Sequence, residues 1–324
     1  MSFTPQRSIH VVAGVITDAR GRVLLTRRTE GRDLAGRWEF PGGKREADES
    51  AEAALVRELQ EELGISAVVG EPVINVPQQY PDKRLRLDVR QVPRWTGQAK
   101  GREGQALAWV LPEKLPLYLM PPADRPVVAA LLYPDRYLVT PAPGKDDHAW
   151  LDALDGALRQ GVRRVQLRLP DIETSRRERL IRSAVLQCQR AHADVLINGD
   201  IRLARELGVG VHLRAAQLPE LERRPLPDGQ WVGVSCHGAE ELRHAEDLGC
   251  DFAVLGSIHD TPSHPGGTTL GWDAFARLRE GVSLPLYAIG GVGPEDIGHA
   301  RQHGAQGIAA IRALWPQVRT AQPV

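Results

Sequence analysis

Apolar positions along the chain follow two rhythms. In the first third, short apolar runs alternate with polar turns: HVVAGVIT and RVLLTRR read as strands, with Asp18, Arg20 and Gly21 between them, so a hairpin is expected. From Asp48 to Leu63 the period lengthens. Leu55, Leu59 and Leu63 recur at i, i+4 and i+8, Ser50 is placed to cap the start, and Gly64 to end the helix as a left-handed residue. Beyond Trp109, the proline-rich stretch LPEKLPLYLMPPADRP gives way to VVAALLYP, a predicted closing helix stopped by Pro134. A division into residues 1–134 and 135–324 is expected there.

After that point the rhythm becomes regular. RYLVT, RRVQLRL, DVLIN, GVHL, WVGVSC, FAVLGS, LYAIGG and GIAAI alternate with helical stretches such as IRLARELG and AEELRHAEDLG. Eight such strands predict a compact (β/α)8 TIM barrel.

A length of 324 residues suits two domains of unequal size. Lys+Arg and Asp+Glu each total 41, so the chain carries no net charge, which argues against a general nucleic-acid or membrane-surface binder. Direct DNA binding is not expected, and the substrate must be recognised locally. Three cysteines, Cys188, Cys236 and Cys250, show no metal-ligand spacing and suit a reduced cytosol. The start, MSFTPQRSIHVVAGVI, lacks the layout of a secretory signal, and no apolar run approaches the ~18 residues that suggest a membrane span. A cytoplasmic setting is therefore expected.

The strongest chemical signal lies between Gly43 and Ile65, in GKREADESAEAALVRELQEELGI. Glu58, Glu61 and Glu62 stand at i, i+3 and i+4, within roughly 100° of arc on one helix face. Left alone they repel, whereas oxygen-only ligands suit a hard divalent cation that keeps some waters and bridges substrate phosphates. A solvated face of an amphipathic helix is the commoner fate of such glutamates. Against it stands the complete spacing: Gly43, five residues, Glu49, seven residues, then Arg57-Glu58-Leu59-x-Glu61-Glu62-x-Gly64-Ile65. This is the Nudix signature without a departure.

RSIHVVAGVI, LLTRR, RWEFPGGK, VRELQEELGI, YPDKR, GREGQ and PPADRPV occur in the order and approximate spacing of MutT-type 8-oxo-dGTP diphosphatases, a resemblance covering residues 7 to 134. It implies a Nudix α/β/α sandwich with a mixed sheet, and Mg2+ as cofactor with Mn2+ able to substitute. The implied metal shell is the Gly42 carbonyl, Glu58, Glu61, Glu62 and Glu103. The reaction it implies is attack of water on the β-phosphorus, releasing a nucleoside monophosphate and pyrophosphate. The cation neutralises triphosphate charge while a carboxylate orients or deprotonates water. Glu58 is the first candidate for that base. Glu103, on a loop able to move with substrate, is the alternative, or an ordinary loop carboxylate. Arg57 is expected to hold the glutamates by ion pairing, since a guanidinium cannot act as a base.

For substrate contacts the likeness implies Arg28, Asp33, Glu39, Phe40, Pro41, Gly42, Lys44 and Asp124. Phe40 either stacks on a purine or belongs to the core. The family usually has His at Asp33 and Asn at Asp124. An amide both donates and accepts toward oxidised guanine, whereas an ionised Asp only accepts. Asp124 would otherwise cap the closing helix.

From Arg136 to Trp315, the segments YLVT, VQLR, LIN, GVHL, GVSCHGAEEL, GCDFAVLGSIHDTPSHPG and YAIGGVGPEDI resemble thiamin phosphate synthase and the thiazole tautomerase TenI. Backbone N–H groups of Gly290, Gly291 and Gly293, after the seventh strand, are candidates to bind phosphate, or are turn glycines needed for shape. A thiazole or thiamin-pathway phosphate is the implied ligand. Departures from the synthase pattern fall at Asn198-Gly199, Gln217 and His264, positions where synthases carry metal-binding or lysine residues. His237 matches a tautomerase histidine and is able to move a proton near neutral pH, or merely caps a helix.

Three functions follow: a hydrolase that removes oxidised guanine nucleotides and so limits mutation, a hydrolase of another nucleotide or thiamin-related diphosphate, or a hydrolase regulated by a ligand-sensing barrel. Every motif of the hydrolytic chemistry precedes Pro134. A chain ending there is expected to fold and to hydrolyse nucleotides, as checked by circular dichroism and phosphate release. A folded but inactive fragment would show instead that the barrel completes or gates the site.

Overall fold

The computed structural model describes residues 7–260 and 269–316; His264 lies outside them. Two compact units result; the chain first passes from one to the other between Tyr133 and Pro134, and the later segments Ala276–Ser283 and Arg301–Gln306 group with the first unit.

The first unit is organised by β1 (Arg7–Ile16). This strand runs parallel to β7 (Lys83–Val92) through ten residue pairs. On its other edge it pairs antiparallel with β4 (Gly42–Lys44), while β6 (Pro72–Gln79) extends the sheet antiparallel beyond β7. Side chains of a strand alternate between faces. Val12 and Ile16 of β1 therefore pack on Ala54, Leu55, Leu59 and Leu63 of α1 (Ala51–Leu63), whereas Ala13 and Val15 join a second core with Val127 and Val128 of α2 (Arg125–Leu132). Mixed sheet between helices is the α/β/α sandwich that the motifs imply.

The expected hairpin forms only at its turn. Thr17 and Val23 make one bridge around Asp18, but β2 (Val23–Arg27) joins a separate antiparallel sheet, between β3 (Trp38–Glu39) and β9 (Leu107–Val110). Both edges of β1 are already taken by β4 and β7, so β2 has no ladder available there. A further pair, β5 (Ser66–Val68) with β8 (Arg94–Thr96), completes the unit.

Of the segment expected to be helical from Asp48, α1 takes the part after Ser50, which caps it as expected. Ser50 takes an extended conformation and its hydroxyl accepts from the Ala53 N–H at 3.1 Å, which sets the helix start there. Gly64 closes the other end with φ 71°, as expected.

The second unit is a closed, all-parallel barrel of eight strands. In chain order these are β10 (Arg136–Val139), β11 (Arg164–Leu167), β12 (Asp194–Asn198), β13 (Gly210–Leu213), β14 (Val232–Cys236), β15 (Phe252–Gly256), β16 (Leu286–Ile289) and β17 (Gly307–Ala310). Among the described residues the crossovers contain α3 (Asp147–Arg159), α4 (Thr174–Arg190), α5 (Ile201–Leu207), α6 (Ala239–Asp247), α7 (Gly271–Arg279) and α8 (Ile297–Gln302). After β13 there is only a 3-10 turn, Ala215–Glu220, with Pro219 inside it. At the strand N-termini Arg164, 1% exposed, donates to Asp194 and the Tyr287 hydroxyl, and its guanidinium lies 4.1 Å from the Trp231 ring centre. That layer closes the bottom of the barrel, so its cavity opens at the strand C-termini.

Gly64→Ala tests the helix stop. The added Cβ would fall 2.4 Å from the end of the Arg102 side chain, which is able to swing away, but the positive φ cannot be relieved without rebuilding the turn. A loss of about 1 kcal/mol is expected, read as a lower urea midpoint for the first unit; an unchanged midpoint would show that the turn tolerates a side chain.

Candidate active site

Three features of the backbone bring the acidic groups together. Glycines come first: Gly42 has φ 149° and a Cβ there would sit 2.1 Å from the Val12 carbonyl oxygen, while a Cβ on Gly43 would lie 2.1 Å from Glu58 Oε2. Only this glycine pair lets β4 approach the Glu58 carboxylate. Helix geometry comes second, because burial of one side of α1 leaves Glu62 and Glu58 side chains 8% and 14% exposed and Glu61 59% exposed. Third, the last carbonyls of α1 have no helical partner. They accept instead from Lys100 N and Arg102 N, and Gln105 Nε2 adds a bond to the Glu62 carbonyl, so the loop carrying Glu103 is anchored to the helix end.

A cavity of about 940 Å³ results, lined at this end by Gly42, Gly43, Lys44, Glu58, Glu62 and Glu103. Of the five positions expected in the metal shell, four border it. Glu61 does not: it stands at the rim, paired with Arg57 at 3.2 Å, because the 100° arc spanning Glu61 and Glu62 is wider than the buried strip. Arg57 behaves as a clamp, donating to Glu49, Glu58, Glu61 and the Lys44 carbonyl, with its own pKa raised chiefly by the Glu49 bond.

Electrostatics explain what the cavity calls for. Burial, reinforced by the charges of Glu103, Glu39 and Glu58, pushes the Glu62 carboxyl up to about 7. Burial also raises Glu58, against the pull of Arg57. Among the described residues, no three acidic, histidine or cysteine side chains converge on one coordination point; Arg32 and Arg57 bond to the carboxylate oxygens instead. A crowd of partly buried oxygen donors, repelling one another beside a glycine cradle, fits a hard divalent cation.

At the opposite end stand the expected base-reading residues. Arg28 is ion-paired with Glu39, and its Nε donates to the Asp33 carbonyl at 2.6 Å. Asp33 pairs with Lys83, which holds its carboxyl below the usual range. Phe40, 3% exposed, is at once part of the core and a wall of the cavity. Pro41 does not line the cavity; its carbonyl accepts from Gly14 N at 2.8 Å. Asp124 lines the cavity, as a base-reading residue would, and departs from the cap reading. It precedes α2 but caps nothing with its side chain; it is 6% exposed, and its Oδ1 accepts from Phe40 N at 3.3 Å. Burial, and then the Glu39 charge, push it up to about 8, so it is largely protonated at neutral pH rather than a pure acceptor. Sequence reasoning missed Arg32, Tyr80 and Lys83, which also line this cavity. Tyr80 and Lys83 lay inside the quoted YPDKR motif, whereas nothing local marks Arg32.

The barrel mouth holds a second cavity of about 1010 Å³, bordered by Gly290, Gly291, Gly293 and His237. Gly290 and Gly291 have φ of 103° and 68°, and a Cβ on Gly290 would strike Ser257, so shape alone requires them. Gly293 is extended and its N–H is already bonded to Asp296 Oδ2 at 2.8 Å, which removes it as a phosphate donor. His237 is 67% exposed, with its backbone N–H and ring Nδ1 both on Glu241 in the first turn of α6. Asn198 accepts from Gln166 Nε2, and Gln217 is spent on Gly199 and Arg214. Missed from sequence were Arg168, Arg214 and Arg312 at the mouth, and a buried chain in which His212 Nε2 is 2.9 Å from Ser235 Oγ and Nδ1 is 3.0 Å from the Tyr137 hydroxyl. Burial holds His212 down at about 3, and hence neutral.

These two sites define a hydrolase unit of the Nudix type joined to a barrel of the thiamine-phosphate-synthase type. The model described as NUDIX domain matches residues 12–130, and that described as Thiamine monophosphate synthase matches residues 136–314. A CTP pyrophosphohydrolase of Escherichia coli is 44% identical over 126 residues, covering 39% of this chain and 93% of the relative. An 8-oxo-dGTP diphosphatase of Haemophilus influenzae is 41% identical, again over 39% and 93%. A putative thiamine-phosphate synthase of Geobacter sulfurreducens is 34% identical, over 55% of this chain and 85% of its own length. The chain belongs to the Nudix hydrolases through its first part and to the thiamine monophosphate synthase/TenI family through its second.

Removing one carboxylate charge tests the cation site. Glu62→Gln and Glu61→Gln are each expected to lower turnover by roughly tenfold to a hundredfold or more without a change in folding, and EDTA should mimic both. Wild-type turnover with unaltered magnesium dependence in either variant would remove that residue from the site.

Proposed function

We propose that the chain is a Mg2+-dependent nucleoside triphosphate pyrophosphohydrolase, releasing a nucleoside monophosphate and pyrophosphate, and that 8-oxo-dGTP is its substrate. Glu58, Glu62, Glu103 and the Gly42 carbonyl would hold the cation, with Glu61 turning in from the rim; Mn2+ would substitute. When bound, the cation neutralises triphosphate charge and lowers the cost of bringing up hydroxide. Glu58, which lines the cavity and whose Oε1 is held by Arg57, is the first candidate to receive the water proton. Glu103 is the second candidate. Lys44 offers its ammonium to the phosphates.

The observation that carries the base assignment is Asp124, buried beside Glu39 and Phe40 at the inner end of the cavity. A protonated carboxyl presents an O–H donor next to a C=O acceptor. The Hoogsteen edge of 8-oxoguanine offers the complement, an O6 acceptor beside an N7–H donor, whereas N7 of ordinary guanine is an acceptor facing an acceptor. Cytosine is a second reading, supported by the 44% identity to the CTP pyrophosphohydrolase: its N4–H donor and N3 acceptor match the same carboxyl.

For the barrel we propose loss of the synthase reaction, since Gly199, after Asn198, and Gln217 stand where the synthase pattern carries metal-binding aspartates. A thiazole or thiamin-pathway phosphate remains the proposed ligand, now held by Gly290, Gly291 and the mouth arginines, with His237 as an acid/base group. The proposal extends to two independently folding domains meeting near Pro134, and to a cytoplasmic setting that suits three free, buried cysteines.

The decisive measurement is kcat/KM for 8-oxo-dGTP, dGTP and CTP across pH. As pH rises through about 8, Asp124 loses its proton and its donor, so preference for 8-oxo-dGTP over dGTP should fall. Asp124→Asn should flatten that dependence and sharpen the preference at high pH. Preference for CTP at every pH selects the second reading; selectivity that neither pH nor the substitution moves would remove Asp124 from base recognition.

A further inference from the structure

Arg32 lies in a turn, residues 31–36, whose backbone takes positive φ at Gly31, Leu34 and Gly36. Its side chain is 44% exposed and reaches into the hydrolytic cavity, where one guanidinium serves two carboxylates from separate parts of the chain. Nη2 is ion-paired with Glu103 of the anchored loop, and Nη1 stands 3.6 Å from Glu62 Oε1 on α1. These are two of the four expected metal-shell positions that border the cavity.

A guanidinium cannot discharge itself by losing a proton. Arg32 and a divalent cation are therefore rivals for the same oxygens, and like charges exclude one from the other's position. When the cation takes Glu62 and Glu103, Arg32 must leave them. Its root in the turn keeps its reach within the cavity, and the remaining anion there is the polyphosphate of the substrate. Five N–H donors in a planar fork match phosphate oxygens in pairs.

We propose that Arg32 is a polyphosphate-binding residue that, before the cation arrives, stands in for it on Glu62 and Glu103. This rests on the reading of the site as a nucleoside triphosphate pyrophosphohydrolase. Two opposite effects of one substitution follow: loss of Arg32 strengthens binding of the cation alone and weakens binding of the polyphosphate that accompanies it. A residue that merely anchors the turn would do neither.

The test uses the full chain, wild type against Arg32→Ala and Arg32→Gln, each checked by circular dichroism. Calorimetric titration with Mn2+ alone should show affinity raised roughly three- to tenfold in both variants, because two ion pairs no longer compete. Titration with inorganic tripolyphosphate at saturating Mn2+ should show affinity lowered roughly tenfold. In hydrolysis assays the loss should fall on KM more than on kcat. Arg32→Lys should leave much of the Mn2+ effect of the natural residue in place but restore little of the tripolyphosphate affinity, since an ammonium lacks the fork. Unchanged or weaker Mn2+ binding in Arg32→Ala and Arg32→Gln overturns the rivalry, and unchanged tripolyphosphate binding overturns the phosphate role. Failure of the pyrophosphohydrolase reading shows elsewhere, as a wild-type chain that hydrolyses no nucleoside triphosphate; the two titrations do not depend on turnover.

Discussion

Burial of the glutamates of α1 beside one another is the constraint around which the first unit is arranged. Glu62 is almost inaccessible, Glu58 nearly so, and Glu103 and Glu39 add charge from the loop and from β3. Unpaired, such a group is costly to remove from water. The fold answers with cations at two ends, Arg57 clamping the helix side and Arg32 the loop side, and with glycines where any side chain would displace Glu58. The same crowding of buried oxygen donors suits the proposed divalent cation, so the stress and the proposed function have one source.

A second carboxyl pair at the inner end works differently. Burial, and then the Glu39 charge, raise Asp124, whereas Glu39 is itself ion-paired with Arg28. The protonated form is therefore favoured at Asp124, next to the Phe40 amide. Environment, not residue type, turns an Asp into a group with the hydrogen-bonding pattern of an amide in this respect, one donor and one acceptor. On the proposed base assignment, an Asp at this position then acts as donor and acceptor rather than as acceptor alone.

In the barrel, polar residues divide by end. Arg164, Asp194, Tyr287 and the aromatic rings around them close the strand N-termini, while three arginines and the glycine turn after β16 face the cavity at the C-termini. That polarity is intrinsic to parallel strands closed into a ring, where the loops after the strands share one end. It places Gly290 and Gly291 at the cavity whatever their ligand, and it also explains why turn geometry by itself does not identify one.

Local rules were enough for much of this. The helix α1, its Ser50 start and Gly64 stop, the spacing of its glutamates and the eight barrel strands are all dictated by neighbours in sequence, because caps, turns and periodicity act over a few residues. Whatever depends on a partner distant in the chain was not legible. Separation of β1 and β2 into different sheets follows from β4 and β7 occupying both edges of β1; Glu61 falls outside the cavity because the packed strip of α1 is narrower than its acidic arc. Gly293 loses its N–H to Asp296, and Arg32 meets Glu103 only because the end of α1 captures the intervening loop. The sequence by itself determined which groups carry the chemistry; the tertiary structure decided which of them are buried, charged and facing one another, since desolvation and Coulomb interaction depend on distance in space and not on separation along the chain.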